Sequence, residues 1–175
     1  MPSAPAPIAV SRQRLVAAYR VARADLLAER TGAGYWVGRL SSSALSTATA
    51  VSALSLVARH AVEPPIPPVE LRRLIDRGLD WIAPQQNGDG GWGDTPGGRS
   101  NIATSMLARA AFGLAGREYA YPEAVAGADR YIEAQGGLAG LRRRYGKDKT
   151  FAVPILTNSA LAGLVPWAEV SALPF

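Results

Sequence analysis

Two tryptophans, Trp36 and Trp92, stand 56 residues apart in loops of the same form. The first loop reads RTGAGYWVG from Arg30 to Gly38, the second QNGDGGWG from Gln86 to Gly93. Each follows a segment with helical apolar spacing and precedes an Ala-rich segment with a serine at its start. Self-similarity at a fixed period marks a chain stacked from supersecondary units. The unit here is helix, Gly-Trp loop, helix.

The rest of the chain follows this plan. Leu15, Tyr19, Ala22 and Leu26 share one helical face, which predicts a helix over 11–30. Ser43 is a candidate N-cap for a second helix, to about Arg59. Ala44, Ala48, Ala50, Ser52, Ala53 and Ser55 give it a small-residue surface, with hydroxyls that carbonyls one turn back satisfy. Pro68 suits the first turn of a third helix. Leu71, Leu74, Ile75, Leu79 and Ile82 form its apolar stripe, and Pro84 ends it. Ser100 is the expected cap of a fourth helix, carrying Ile102, Met106, Leu107 and Ala110 to about Gly116. Pro122 opens a fifth, with Val125, Ala128, Tyr131 and Ile132 inward, stopped at Gly136 and Gly137. A basic stretch from Arg142 to Lys149 reads as a solvated loop. A sixth helix spans 152–164, and Pro166 starts a short last turn. No segment alternates with period two, so no strand is expected. Residues 1–10, rich in Pro and Ala, read as a disordered tail, and 11–175 as one helical region.

The loop chemistry is structural. Trp is a large apolar anchor between helices, Gly permits the tight turn beside it, and a Gln amide can serve orphan backbone groups at helix ends. Gln86, Gly90 and Trp92 make the complete Q-x-x-x-G-x-W motif. Gly34 and Trp36 make a degenerate copy, with Arg30 in the Gln position.

That motif resembles the QW repeat of the squalene-hopene and oxidosqualene cyclases. Gly34-Tyr-Trp-Val-Gly38 is similar to the early part of that family. So is the tail from Gly136 through the basic stretch, KTFAVPILTNSALAGL after Asp148, and Pro166-Trp-Ala-Glu-Val to Leu173-Pro-Phe. The likeness runs from about Leu15 to the end. It implies an all-α fold, a partial α/α-barrel of paired helices, and a membrane-associated enzyme class acting on polyenes such as squalene. In that family a D-x-D-D aspartate, held protonated by its neighbours, starts cyclisation. The aspartates here are Asp25, Asp76, Asp80, Asp89, Asp94, Asp129 and Asp148, and no two are adjacent or two apart. No catalytic residue carries over. The resemblance therefore implies an N-terminal scaffold portion of a triterpene cyclase, inactive alone, whose partner is a catalytic domain on the same or a separate chain. The alternative is a non-catalytic helical-repeat module that binds an isoprenoid or a protein.

Other chemistries are excluded or disfavoured. Without cysteine there is no disulfide, thiolate metal site or thiol nucleophile, which also removes the zinc site of protein prenyltransferase β subunits. Gly88, Gly90 and Gly93 match a dinucleotide fingerprint but follow a helix and lack the later acid. Asn87, Asp89 and Asp94 hint at a calcium loop, yet Gly98 stands where its bidentate Glu belongs. His60, the lone histidine, permits no histidine cluster. No cofactor and no metal are expected. The net charge of +5 comes without a basic-plus-aromatic recognition motif, so nucleic acid is not an expected partner. No signal peptide is recognisable. The longest uncharged stretch, Leu40 to Ala58, holds eight Ser or Thr and makes a poor membrane span. The expected location is the cytoplasm. Arg142, Arg143, Arg144 and Lys147 could also meet anionic lipid headgroups, worth about 1 kcal/mol per charge near the surface, for a peripheral membrane contact.

Overall fold

A computed structural model of the chain describes residues 11–38 and 40–172. The expected disordered tail at 1–10 lies outside them. The described residues contain seven α-helices and no strand: α1 (Arg12–Ala28), α2 (Ala44–His60), α3 (Pro68–Ile82), α4 (Ile102–Ala115), α5 (Pro122–Ala134), α6 (Gly137–Tyr145) and α7 (Ala152–Leu161). Short 3-10 turns follow α3, precede α5, and lie at Trp167–Glu169. No helix described is long and apolar enough to cross a membrane.

The chain divides into two compact units, Met1–Leu40 and Ser41–Phe175. In the first, the Ser11 hydroxyl accepts from the Arg14 amide and starts α1, yet α1 buries no residue. Its apolar side chains Leu15, Tyr19 and Leu26 are all exposed.

The second unit holds the core. α4 lies between α2 and α7, α3 packs on α2, and α5 packs on α4. These paired helices fit a partial α/α toroid. α4 is enclosed almost all round, because Ala103, Ala108, Ala110 and Ala111 let its neighbours come close. The small surface of α2 acts in the same way. Ala44, Ala48, Ser52 and Ser55 are buried there beside Val51, while Ala50 and Ala53 face out. Gly78 of α3 answers that surface, since a Cβ at this position would overlap Val51 Cγ2. The Ser55 hydroxyl donates to the Val51 carbonyl one turn back at 2.7 Å. Ser52 departs from the expectation: its buried hydroxyl finds no partner.

Two further expectations are corrected. Asn101, and not Ser100, caps α4, its side-chain oxygen accepting from the Thr104 amide at 3.0 Å. Ser100 is diverted into the preceding loop, where its hydroxyl donates to Asp89. The first half of the basic stretch is helical, while 146–149 form the expected loop. Arg142, Arg143 and Arg144 form the last turn of α6, where cations complement the helix dipole. Gly136 and Gly137, both with positive φ, break the chain between α5 and α6 as expected.

Candidate functional site

The two Gly-Trp loops have the same internal geometry. The Asn87 amide donates to the Gly91 carbonyl and the Gly90 amide to the Asn87 carbonyl, both at 2.9 Å. In the upstream loop the Thr31 amide donates to Tyr35 and the Gly34 amide to Thr31, again both at 2.9 Å. Gly90 has φ +85° and Gly34 has φ +91°. Both lie in the left-handed region that favours glycine. Each indole N–H reaches ten residues back to the end of the preceding helix: Trp92 Nε1 to the Ile82 carbonyl at 2.9 Å, Trp36 Nε1 to the Leu26 carbonyl at 2.5 Å. A C-terminal helical carbonyl, otherwise orphaned, is satisfied in both.

Arg30 replaces the glutamine in function as well as position. Gln86 Nε2 donates to the Gly90 carbonyl at 2.8 Å, and Arg30 Nε donates to the Gly34 carbonyl at 2.8 Å. The Arg30 guanidinium also lies 5.5 Å from the centre of the Trp36 ring, a cation–π distance. With Arg30 in the glutamine position the copy is degenerate in sequence, but its turn is complete.

The copies differ in what covers them. Gln86 Nε2 donates a second bond, to the Ala124 carbonyl of α5 at 2.9 Å. Gly90 abuts the backbone of Gly127 in the same helix. Trp92 is fully buried and packs near Phe112, with ring centres 6.3 Å apart. Phe112 meets Tyr121 at 5.2 Å, and the Tyr121 hydroxyl donates to Asp80 at 2.7 Å. An aromatic series thus ties the loop to α3, α4 and the start of α5. Trp36, expected to anchor a core in the same way, is 45% exposed. The reason is the missing seat: a Cβ on Gly34 would meet only the Arg30 side chain.

Replacing Gln86 with alanine should remove both carbonyl contacts, leaving the Ala124 carbonyl only its donor within α5. The expected loss is about 1–3 kcal/mol, read from urea denaturation followed by circular dichroism. A change within about 0.5 kcal/mol, as for an ordinary surface site, would mean that the clamp does not hold loop to helix.

The loop and its flanks are also knitted by polar side chains that the motif does not reveal. Asp94 accepts from Thr104 and Asn101. These bonds, Thr104 first, hold its carboxyl below the usual range. Glu70, bonded by Arg73, and Asp148, bonded by Thr150, are likewise shifted down. A proton-donating acid needs the opposite shift. Among the described residues, no three His, Cys, Asp or Glu side chains gather as metal ligands. The shifts keep Asp94, Glu70 and Asp148 ionised, as groups that hold backbone and side chains in place.

Tyr121 provides a pH signature. Burial first, then the bond to Asp80, pushes its hydroxyl up to about 12. The unfolded value is about 10, so between these values the folded chain binds more protons. The Tyr121 contribution is complete below about pH 10 and is lost as the pH rises toward 12. Tyr121→Phe should flatten the alkaline limb of stability against pH, leaving a slope from Tyr131, which burial also raises. An unchanged limb in denaturation curves between pH 9 and 12 would contradict this.

In the basic stretch, Arg142 Nη2 donates to Glu169 Oε2 at 2.6 Å and Arg143 Nη2 to the Gln135 carbonyl at 3.4 Å. Arg144 and Lys147 form no ion pair among the described residues.

The family model described as "Squalene-hopene cyclase N-terminal domain" matches residues 20–175. The squalene hopane cyclase afumA of Aspergillus fumigatus is 30% identical over 142 residues, which is 80% of this chain and 16% of that protein. The chain thus spans under a fifth of the length of this relative. No solved structure matches significantly. With the family model covering most of its length, the chain belongs to the squalene-hopene cyclase N-terminal domain family.

Proposed function

We propose that this chain is the N-terminal scaffold of a cyclase acting on a squalene-like polyene, and that catalysis needs a further domain. The match to the N-terminal domain family over residues 20–175 carries this reading. Its own carboxylates supply no D-x-D-D acid, so the proton donor comes from that further domain. The exposed face of α1, with Leu15, Tyr19 and Leu26, is its docking surface. Helices in proteins draw most of their stability from packing an apolar face, and α1 buries none of its own residues. In the same reading, Arg144 and Lys147 meet anionic headgroups at a membrane surface.

An immunoblot of native extract with an antibody against the segment from Glu63 to Asp80 tests this. A band several times heavier than 18.4 kDa is the expected result. A single band at 18.4 kDa, with no catalytic chain co-purifying, would overturn the proposal.

A further inference from the structure

A second site lies away from the Gly-Trp loop. A half-open cavity of about 180 Å³ is framed by α4, α5, α6 and the segment after α7. An apolar cavity of about 150 Å³ already admits a benzene-sized guest. Met106, Ile132, Leu138 and Val165 supply apolar walls, and Arg109 and Asp129 also line it.

Arg109 is the unusual member. It is charged yet only 9% exposed, in a helix otherwise made of small and apolar residues. Its Nε donates to Asp129 Oδ1 at 2.7 Å and its Nη1 to Glu118 Oε1 at 2.5 Å. Among the described residues, Nη2 has no acceptor and Asp129 Oδ2 no donor. Ser159, the other polar lining residue, spends its hydrogen on the Ile155 carbonyl at 3.0 Å. The cavity therefore has apolar walls and one polar end, where a free donor and a free acceptor belong to a single ion pair.

That pairing selects among ligands. One guanidinium with two carboxylates leaves an excess negative charge, which disfavours an anion. A cation drawn to Asp129 meets the guanidinium at the same end. A hydroxyl can accept from the guanidinium of the buried Arg109 and donate to the carboxylate of Asp129, whose side chain is 55% exposed. We propose that this cavity binds a small apolar alcohol, with its hydroxyl between Arg109 and Asp129 and its carbon skeleton against Met106, Ile132, Leu138 and Val165. The site is independent of the scaffold function proposed above.

The test is a methyl NMR titration of the full chain with cyclohexanol, cyclohexanecarboxylate and cyclohexylammonium. Saturable shifts at the Ile132 and Leu138 methyls are expected with the alcohol, with either ion binding roughly tenfold more weakly because a carboxylate meets Asp129 and Glu118 and an ammonium meets Arg109. Val165→Trp, placed outside the helices, should fill the cavity and abolish saturation. Shifts that grow linearly with alcohol, equal binding of an ion, or unchanged saturation in V165W would overturn the site. If V165W does not fold, the ranking of the three probes on the unaltered chain decides.

Discussion

Trp92→Ala is expected to destabilise the Ser41–Phe175 unit by about 3–5 kcal/mol, the usual range for truncating a buried aromatic. Trp92 is 0% exposed, so the change loses the transfer free energy of the indole and leaves a void beside Phe112. It also strips the Ile82 carbonyl of its donor. Small domains are stable by only about 5–15 kcal/mol, so a large part of the reserve goes, and the melting temperature should fall by on the order of 10–20 °C. Trp36→Ala is the matched control, since its indole makes the same backbone bond from a half-exposed position. It should cost under about 1 kcal/mol in the isolated chain. Thermal and urea denaturation of both variants checks the pair. Equal losses would mean that the upstream loop is as well seated as the downstream one.

Gly90→Ala should have the next largest effect, because two independent penalties meet at one atom. The left-handed backbone at φ +85° costs an L-residue about 1–2 kcal/mol. The added Cβ also overlaps the Gly127 carbonyl and stands 2.9 Å from its carbon. Both atoms are backbone within α5 and cannot swing aside. Overpacking of that kind adds about 1–3 kcal/mol. Gly97→Ala separates the two penalties. Gly97 has φ +71° in the same unit, and a Cβ there meets nothing within 4 Å. It should show the backbone cost alone. If the two alanine variants unfold at the same urea concentration, the close seat of the loop on α5 is wrong.

Helix positions and the loop motif were legible because their causes are local. Apolar spacing located α3 and α5, Ser43 announced α2, and the prolines and glycines marked the breaks between elements. Gln86, Gly90 and Trp92 stood out for the same reason: within seven residues they complete a turn whose backbone bonds, Asn87 to Gly91 and Gly90 to Asn87, stay inside the loop. Arg30 was harder to place, because its Nε and the amide of Gln86 share a donor's reach but no chemical likeness. Asn101 displaced Ser100 as the cap by one residue. Asp89 needed the serine hydroxyl, and that competition appears only once the loop is folded. The arginines of α6 concealed a helix, since a run of like charge gives no apolar stripe until Leu141 is seen to be buried.

The sequence by itself determined an all-α chain with a repeated Gly-Trp turn, because hydrogen bonds and periodicity within one turn or one helix need only near neighbours. Only the tertiary structure decided which tryptophan is a core anchor. It also paired Gln86 with Ala124 and set Arg109 between Asp129 and Glu118. Burial is a property of atoms brought from far along the chain: Trp36 and Trp92 carry the same local turn, but only the second has an α5 to close over it.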